Sequence, residues 1–345
     1  MMWERVKLAD VSDSCLGKML DQRKNKGIYK PYLANVNVRW GAFDLDNLQE
    51  MKFEDDEDER YGIKYGDLII CEGGEPGRCA IWKEQLPNMK IQKALHRLRV
   101  NEEMDYRYVY YWFLLAGKQG ALKQYYTGAT IMHMPGQKLK EVVIDKPPLD
   151  VQRKIGDYLE AFDNLIENNQ KQIKLLEEAA QRLYKEWFVD LRFPGYEDVE
   201  IVDSVPEGWS KEPIGSIIGK ASRTKQIKTA DYLLEGAIPV IDQSRNFIAG
   251  YTNDSEALVN AGTPVIVFGD HTRILKYIQF PFAKGADGTQ LIISDRTNMP
   301  QSLLYLSLIA VDLSNYHYAR HFKYLKAESI LIPSQDVADE FDRLI

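Results

Sequence analysis

The chain has 345 residues, 45% of them hydrophobic and 28% charged, with a formal net charge of −7 at pH 7. This length accommodates two domains and a connector, and the ordinary apolar content argues against global disorder. No apolar run reaches a membrane span, and Met1-Met2-Trp3-Glu4 opens nothing like a signal peptide. Three cysteines, Cys15, Cys71 and Cys79, lack metal-ligand spacing and point to a reducing, cytoplasmic setting.

The net charge by itself argues against a nucleic-acid partner, but its distribution does not. Residues 1–147 and 205–335 each sum to +1, residues 148–204 to −6 and residues 336–345 to −3. The acid therefore sits on a connector and a tail, leaving two halves compatible with DNA. Within the first half, Glu54-Asp55-Asp56-Glu57-Asp58-Glu59 reads as a solvated loop.

In chain order, the first half (1–146) alternates short β-prone runs, Tyr32–Val38 and Leu68–Cys71, with a Tyr-rich helical stretch at 106–116. Glu72-Gly73-Gly74-Glu75-Pro76-Gly77 is Gly-rich but acidic, so it reads as a turn and not as a phosphate cradle. Residues 147–192 predict one long helix. Ile155, Leu159, Phe162, Ile166, Asn169, Ile173, Leu176, Ala180, Leu183 and Trp187 recur with gaps alternating four and three. A repeat of 3.5 marks a helix that packs lengthwise on another helix. Pro147 and Pro148 suit its start and Phe193-Pro194-Gly195 its stop; at about 1.5 Å per residue it reaches roughly 60 Å. Asn169 is the polar residue of the seam, and it reads equally as a buried register-setter or as a solvated turn.

Residues 193–208, rich in Pro, Gly and acid, form a linker to a second half at 209–333. The halves read as diverged copies. Trp3 to Leu8 matches Trp209 to Ile214, Pro31-Tyr32-Leu33 matches Pro239-Val240-Ile241, and Gly66 to Gly74 matches Gly262-Thr263-Pro264 to Asp270. The closing segments, Leu139-Lys140 to Val151 and Leu325-Lys326 to Val337, align at an offset of 186 without a gap. The expected fold class is α+β, two mixed α/β domains joined by a long coiled-coil-type helix. The phosphate loop, the dinucleotide turn and the zinc-protease motif are all missing from the sequence, and five scattered histidines form no metal cluster. No catalytic residue, cofactor or metal is expected.

At Pro147-Pro148-Leu149, Gln152-Arg153-Lys154-Ile155, Ile166-Glu167-Asn168-Asn169, Tyr184-Lys185, Trp187-Phe188-Val189-Asp190 and Val205-Pro206-Glu207-Gly208-Trp209, the chain resembles the specificity subunit of type I restriction-modification systems. The resemblance implies two target recognition domains, each reading half of a bipartite site in double-stranded DNA, with the helix as a ruler between them. It implies methyltransferase (M) subunits docked along the helices and a restriction (R) subunit, which carry the catalysis; this chain supplies the address. The expected partners thus exclude a membrane. The runner-up from another class is a coiled-coil adaptor presenting two protein-binding domains.

For DNA contact, the first copy offers Lys90, Lys93, Arg97, Lys123, Gln124, Tyr125, Tyr126, Thr127 and His133. The second offers Arg245, Asn246, His271, Arg273, Lys276, Arg320, His321 and Lys323. Arg, Lys, Asn and Gln read base edges, while Tyr and Thr suit phosphates and thymine methyls. Gly269-Asp270-His271-Thr272-Arg273 is the preferred turn, because a polar loop leaving a buried strand is a usual place for function. The resemblance also implies a second long helix pairing with the first, whereas residues 334–345 give only roughly three turns. The expectation is that another chain covers the ten seam positions: a second copy or separately encoded specificity chain supplying the missing helix, or the methyltransferase. The other reading is an inactive, truncated subunit.

Overall fold

The computed structural model describes residues 3–21, 25–221, 224–259, 262, 264–316 and 320–345. Met1, Met2 and Thr263, which the sequence reading used, lie outside them. The chain divides into two compact units, Met1–Gln170 and Lys171–Ile345. The boundary falls inside the long helix, not at its ends, because each end of that helix belongs to a different core.

Unit 1 runs β1 (Glu4–Lys7), α1 (Leu8–Val11), β2 (Ser12–Leu16), β3 (Ile28–Leu33), β4 (Gln49–Phe53), α2 (Asp58–Tyr61), β5 (Leu68–Cys71), β6 (Cys79–Ile81), β7 (Lys90–Ile91), β8 (Leu95–Val100), α3 (Tyr106–Lys118), α4 (Gly136–Glu141) and β9 (Val143–Lys146), then enters α5 (Leu149–Tyr184). β5 is buried throughout, which accounts for its unbroken apolar run Leu-Ile-Ile-Cys. Leu68 and Ile70 face a core with Val109 and Phe113 of α3, while Ile69 and Cys71 face a second core with Leu33, Trp82 and Ile91. β5 sits inside the antiparallel sheet β2-β8-β5-β6; the second sheet, β4-β3-β7, pairs β3 with β7 in parallel.

Unit 2 takes the rest of α5, a π turn at Lys185–Val189, β10 (Ile201–Val202), β11 (Val205–Pro206), β12 (Ser210–Pro213), β13 (Ile238–Ile241), β14 (Gly250–Thr252), β15 (Leu258–Val259), β16 (Val265–Gly269), β17 (Leu275–Ile278), β18 (Phe282–Lys284), β19 (Thr289–Ile292), α6 (Gln301–Ile309), α7 (His321–Ala327), β20 (Ser329–Ile332) and α8 (Gln335–Leu344). The plan repeats. β16 is buried on both faces, with Ile266 and Phe268 on the α6 side and Val265 and Val267 on the other. β13 pairs in parallel with β18 as β3 does with β7. The strand after each opening Trp pairs with the closing strand: Glu4 with Lys146 in unit 1, Ser210 with Ile332 in unit 2.

The start of α5 is fixed by Gln152, which is fully buried. Its Oε1 accepts from the Asp105 N–H (2.9 Å) and its Nε2 donates to the carbonyls of Pro147 (2.8 Å) and Glu103 (3.2 Å). Along the seam, Ile155 packs on the unit 1 core, while Phe162 and Ile166 are half-exposed. In unit 2, Ile173 and Leu176 are exposed; then Ala180, Leu183 and Trp187 join the core, where Trp187 meets Phe341 of α8 at 5.6 Å between ring centroids. Asn169 is exposed. At Lys185–Val189 the helix widens, with the Asp190 N–H bonded to the Lys185 carbonyl (2.8 Å). The extra residue of a π turn breaks the 3.5 repeat, so the seam ends there. No helix among the described residues is long and apolar enough to cross a membrane.

Candidate nucleic-acid interface

Both units build the same junction from different residues. In unit 1, Asn35 follows the parallel strand β3 and donates from Nδ2 to the carbonyl of Gly73 (2.8 Å), in the turn that leaves β5. Arg78 donates back to the Asn35 carbonyl and Oδ1 (3.2 Å each). Gly74 (φ +73°) and Gly77 (φ +87°) hold that turn in the left-handed region, where a side chain is strained. His133 pairs with both Gly73 and Thr127 through short antiparallel bridges, so Thr127 and His133 lie at the same junction.

In unit 2 the equivalent amide is Gln243, following β13. Its Oε1 accepts from the His271 N–H (3.1 Å), its carbonyl accepts from Thr272 Oγ1 (2.7 Å), and its Nε2 donates to the Asp287 carbonyl (2.7 Å). The turn Gly269–Arg273 is thereby tied to the loop carrying Arg245 and Asn246. Arg273 adopts φ +62° and its guanidinium donates to the Leu313 carbonyl (2.9 Å). Exposed polar loops held on a rigid sheet frame are the arrangement that presents hydrogen-bonding groups to a ligand at fixed spacing.

The structure separates the DNA-contact candidates. Lys93, Lys123, Gln124, Thr127 and His133 are exposed in unit 1, as are Arg245, Asn246, His271, Arg273, Arg320 and Lys323 in unit 2. Tyr125 and Tyr126 are half-buried and engaged: the Tyr125 hydroxyl accepts from the Val143 N–H (3.1 Å), and the Tyr126 hydroxyl donates to the Pro76 carbonyl (2.5 Å).

Four candidates are corrected. Lys90 is 3% exposed and ion-paired with Asp58 (3.0 Å). Arg97 is 4% exposed; it donates to the carbonyls of Glu59 and Arg60 (3.0 Å each) and to Asp13 (2.7 Å). Lys276 is buried and its Nζ donates to the carbonyls of Asp242 (2.7 Å) and Asn246 (2.6 Å). His321 is buried beside Asp270, whose carbonyl accepts its backbone N–H (2.9 Å). Burial, reinforced by the Arg273 charge and partly offset by Asp270, pulls its imidazole below the ordinary range. A charge taken out of water needs partners, and Lys90, Arg97 and Lys276 have spent theirs inside the fold, while burial favours the neutral form of the His321 imidazole.

The acidic run is corrected with them. It is not wholly solvated, since Glu57 pairs with the buried Lys18 and Asp58 with Lys30 (2.8 Å) and Lys90. Burial raises the Asp58 pKa, but the hydrogen bonds and charges of Lys90 and Lys30 outweigh it, so the carboxyl titrates below its ordinary value. Sequence reasoning assigned no bonding role to Asn35, Gln243 or Gln152. The cationic excess left in the first half once the acidic run is set aside was the one signal for the ion-pair cluster; the amides left no pattern.

Two α/β modules of one plan, each with a polar loop junction and sharing one continuous helix, define a tandem recognition protein. The chain belongs to the type I restriction modification DNA specificity domain family, whose profile matches residues 2–178. It is 32% identical over 200 residues to the type I restriction enzyme MjaIX specificity subunit of Methanocaldococcus jannaschii, covering 56% of this chain and 45% of that one. It is also 32% identical over 97 residues to the EcoR124I/EcoR124II specificity subunit of Escherichia coli, covering 28% and 24%. The chain spans about half the length of the M. jannaschii relatives it matches. In fold, it is similar to the S subunit of a type I restriction-modification system from M. genitalium, with a TM-score of 0.61 at 14% identity, covering 99% of this chain and 88% of that one.

Proposed function

We propose that this protein is a DNA-reading specificity subunit that directs a type I methyltransferase and restriction complex to a bipartite site. Each unit reads one half-site through its loop junction, at residues 35, 73–78, 127 and 133 in unit 1 and residues 243–246 and 269–273 in unit 2. The helix α5 sets the register between them. The observation that carries this reading is the junction built twice, on the same sheet plan, in a chain of this family. Methylation and cleavage lie with the partner subunits, and the site of action is cytoplasmic DNA.

The exposed stretch of α5 supports a partner helix along it, from the methyltransferase or a second specificity chain. Leaving Phe162, Ile166, Ile173 and Leu176 wet forgoes about 1.5–3 kcal/mol for each large apolar side chain that full burial would supply.

The test is adenine methylation mapped across a host genome with and without the gene. A bipartite motif that appears only with the gene is the expected result. In vitro, the chain with its methyltransferase should bind that site with an affinity that falls steeply as salt rises, because phosphate contacts release counterions. Binding indifferent to salt would favour the adaptor reading instead.

A further inference from the structure

The loop between β13 and β14 in unit 2 carries an apolar tip that no core absorbs. The rings of Phe247 and Phe280 meet edge to face, with centroids 6.1 Å apart and planes at 69°. Both stay open to solvent, at 52% and 37% exposure, and Ile248 lies beside Phe247 in sequence at 36%. A floppy loop would fold such side chains inward. This one is pinned from below: buried Lys276 holds the carbonyls of Asp242 and Asn246, the Ser244 N–H bonds the Asp242 carboxylate (2.8 Å), and Gln243 ties the loop to the neighbouring turn. Asp242 is the one carboxylate between the two strands, and it lies 3.9 Å from the buried Lys276 Nζ. What remains outward is Arg245 and Asn246, directly followed by the aromatic tip.

Building on the DNA-reading function proposed above, we infer that Phe247, supported by Phe280, is a wedge that enters a base step of the half-site read by unit 2, while Arg245 and Asn246 engage the flanking phosphates or base edges. A cationic and amide rim around a rigid apolar point matches duplex DNA, which is anionic outside and flat and apolar between its base pairs. Apolar side chains inserted at a step unstack it and kink the duplex. Unit 1 has only an open apolar residue at its junction: Val36, next to Asn35, is 70% exposed, and Arg39 is turned back onto the Val36 and Val38 carbonyls.

The test uses the full chain with its methyltransferase. First, the methylome of a host carrying the wild-type gene is compared with those of hosts carrying Phe247→Ser or Phe247→Trp. Second, the recovered site is labelled with 2-aminopurine at successive steps. The expected result is a fluorescence rise at one step, absent with Phe247→Ser and retained with Phe247→Trp, and about 5- to 100-fold weaker binding by the Ser variant at an unchanged melting temperature. A wild-type motif that Phe247→Ser writes equally well, with the same fluorescence, overturns the wedge and leaves the DNA-reading function standing. Loss of methyltransferase co-purification by Phe247→Ser, with DNA binding intact, makes the tip a protein contact and also overturns the wedge. A wild-type gene that writes no motif overturns both.

Discussion

The two units share a sheet plan and spend their cations in opposite ways. Unit 1 turns Lys18, Lys90 and Arg97 inward, and uses part of its acidic run as counter-ions. Unit 2 buries Lys276 under a loop, with carbonyl acceptors, and leaves Arg245, Arg320 and Lys323 outside. In unit 1 these three basic residues hold the fold together while Lys93 and Lys123 stay exposed; in unit 2 a buried lysine stiffens a loop that presents Arg245. Residue type alone therefore does not identify a nucleic-acid contact.

The helix ends differ in the same instructive way. In unit 2, Trp209 packs at a tilt against Phe193 and Phe188 (centroids 4.6 and 5.6 Å), and Phe188 meets Phe341 edge to face at 5.0 Å. The repeat counterpart Trp3 in unit 1 is 45% exposed and borders an open groove of about 650 Å³ with Tyr111, Trp112, Ile155, Leu159 and Phe162. Unit 2 packs its own aromatics around Trp209, whereas unit 1 leaves Trp3 at an open groove.

The comparison can be broken by substitution, and the aromatic cluster carries the largest expected effect. Phe341→Ala should destabilise the chain by about 3–5 kcal/mol in chemical denaturation, through lost burial and the cavity left behind. Leu176→Ala, on the open stretch of α5, should stay within about 0.5 kcal/mol for the isolated chain. If the two cost the same, the seam is already covered in solution. A large cost for Leu176→Ala appearing only when the methyltransferase is present would identify the methyltransferase as the cover.

Next come the arginines. Arg97→Ala should cost about 1–3 kcal/mol, because two backbone carbonyls lose their donor. Arg245→Ala should leave the melting temperature within a degree or two and weaken DNA binding by the methyltransferase complex. Exchanged phenotypes would reverse the assignment of the two units.

The smallest effect is the pH dependence contributed by one histidine of unit 1. His96 is buried, and its Nε2 faces the Met134 carbonyl at 3.1 Å. Burial lowers its pKa below 6.5, more than the Glu72 charge and the Met134 carbonyl raise it. The unfolded chain then binds the proton more readily than the folded one. The neutral ring's contribution is complete above pH 6.5 and is lost as pH falls through the folded value. Denaturation midpoints measured from pH 7.5 down to 5 should fall more for the wild type than for His96→Phe.

Much of this molecule is legible in the chain. The 3.5-residue repeat places α5, the apolar runs place β5 and β16, and the matched landmarks place the two copies, because each rests on neighbours in sequence. The sharing of the seam between two cores was not legible: Ile155 and Trp187 have the same periodic signature as Ile173, yet only the first two meet a core. Nor were the amide junctions, since an Asn or Gln bond to a distant turn leaves no periodic trace.

The sequence by itself determined the helix, the repeat and the family, since local periodicity and short motifs carry them. Only the tertiary structure decided which cations are spent and which are presented. Arg97 finds Asp13 across 84 residues, and Lys276 reaches the Asp242 carbonyl across 34. The physical reason is that a charge's fate depends on desolvation and on its partners, and both are set when distant segments pack.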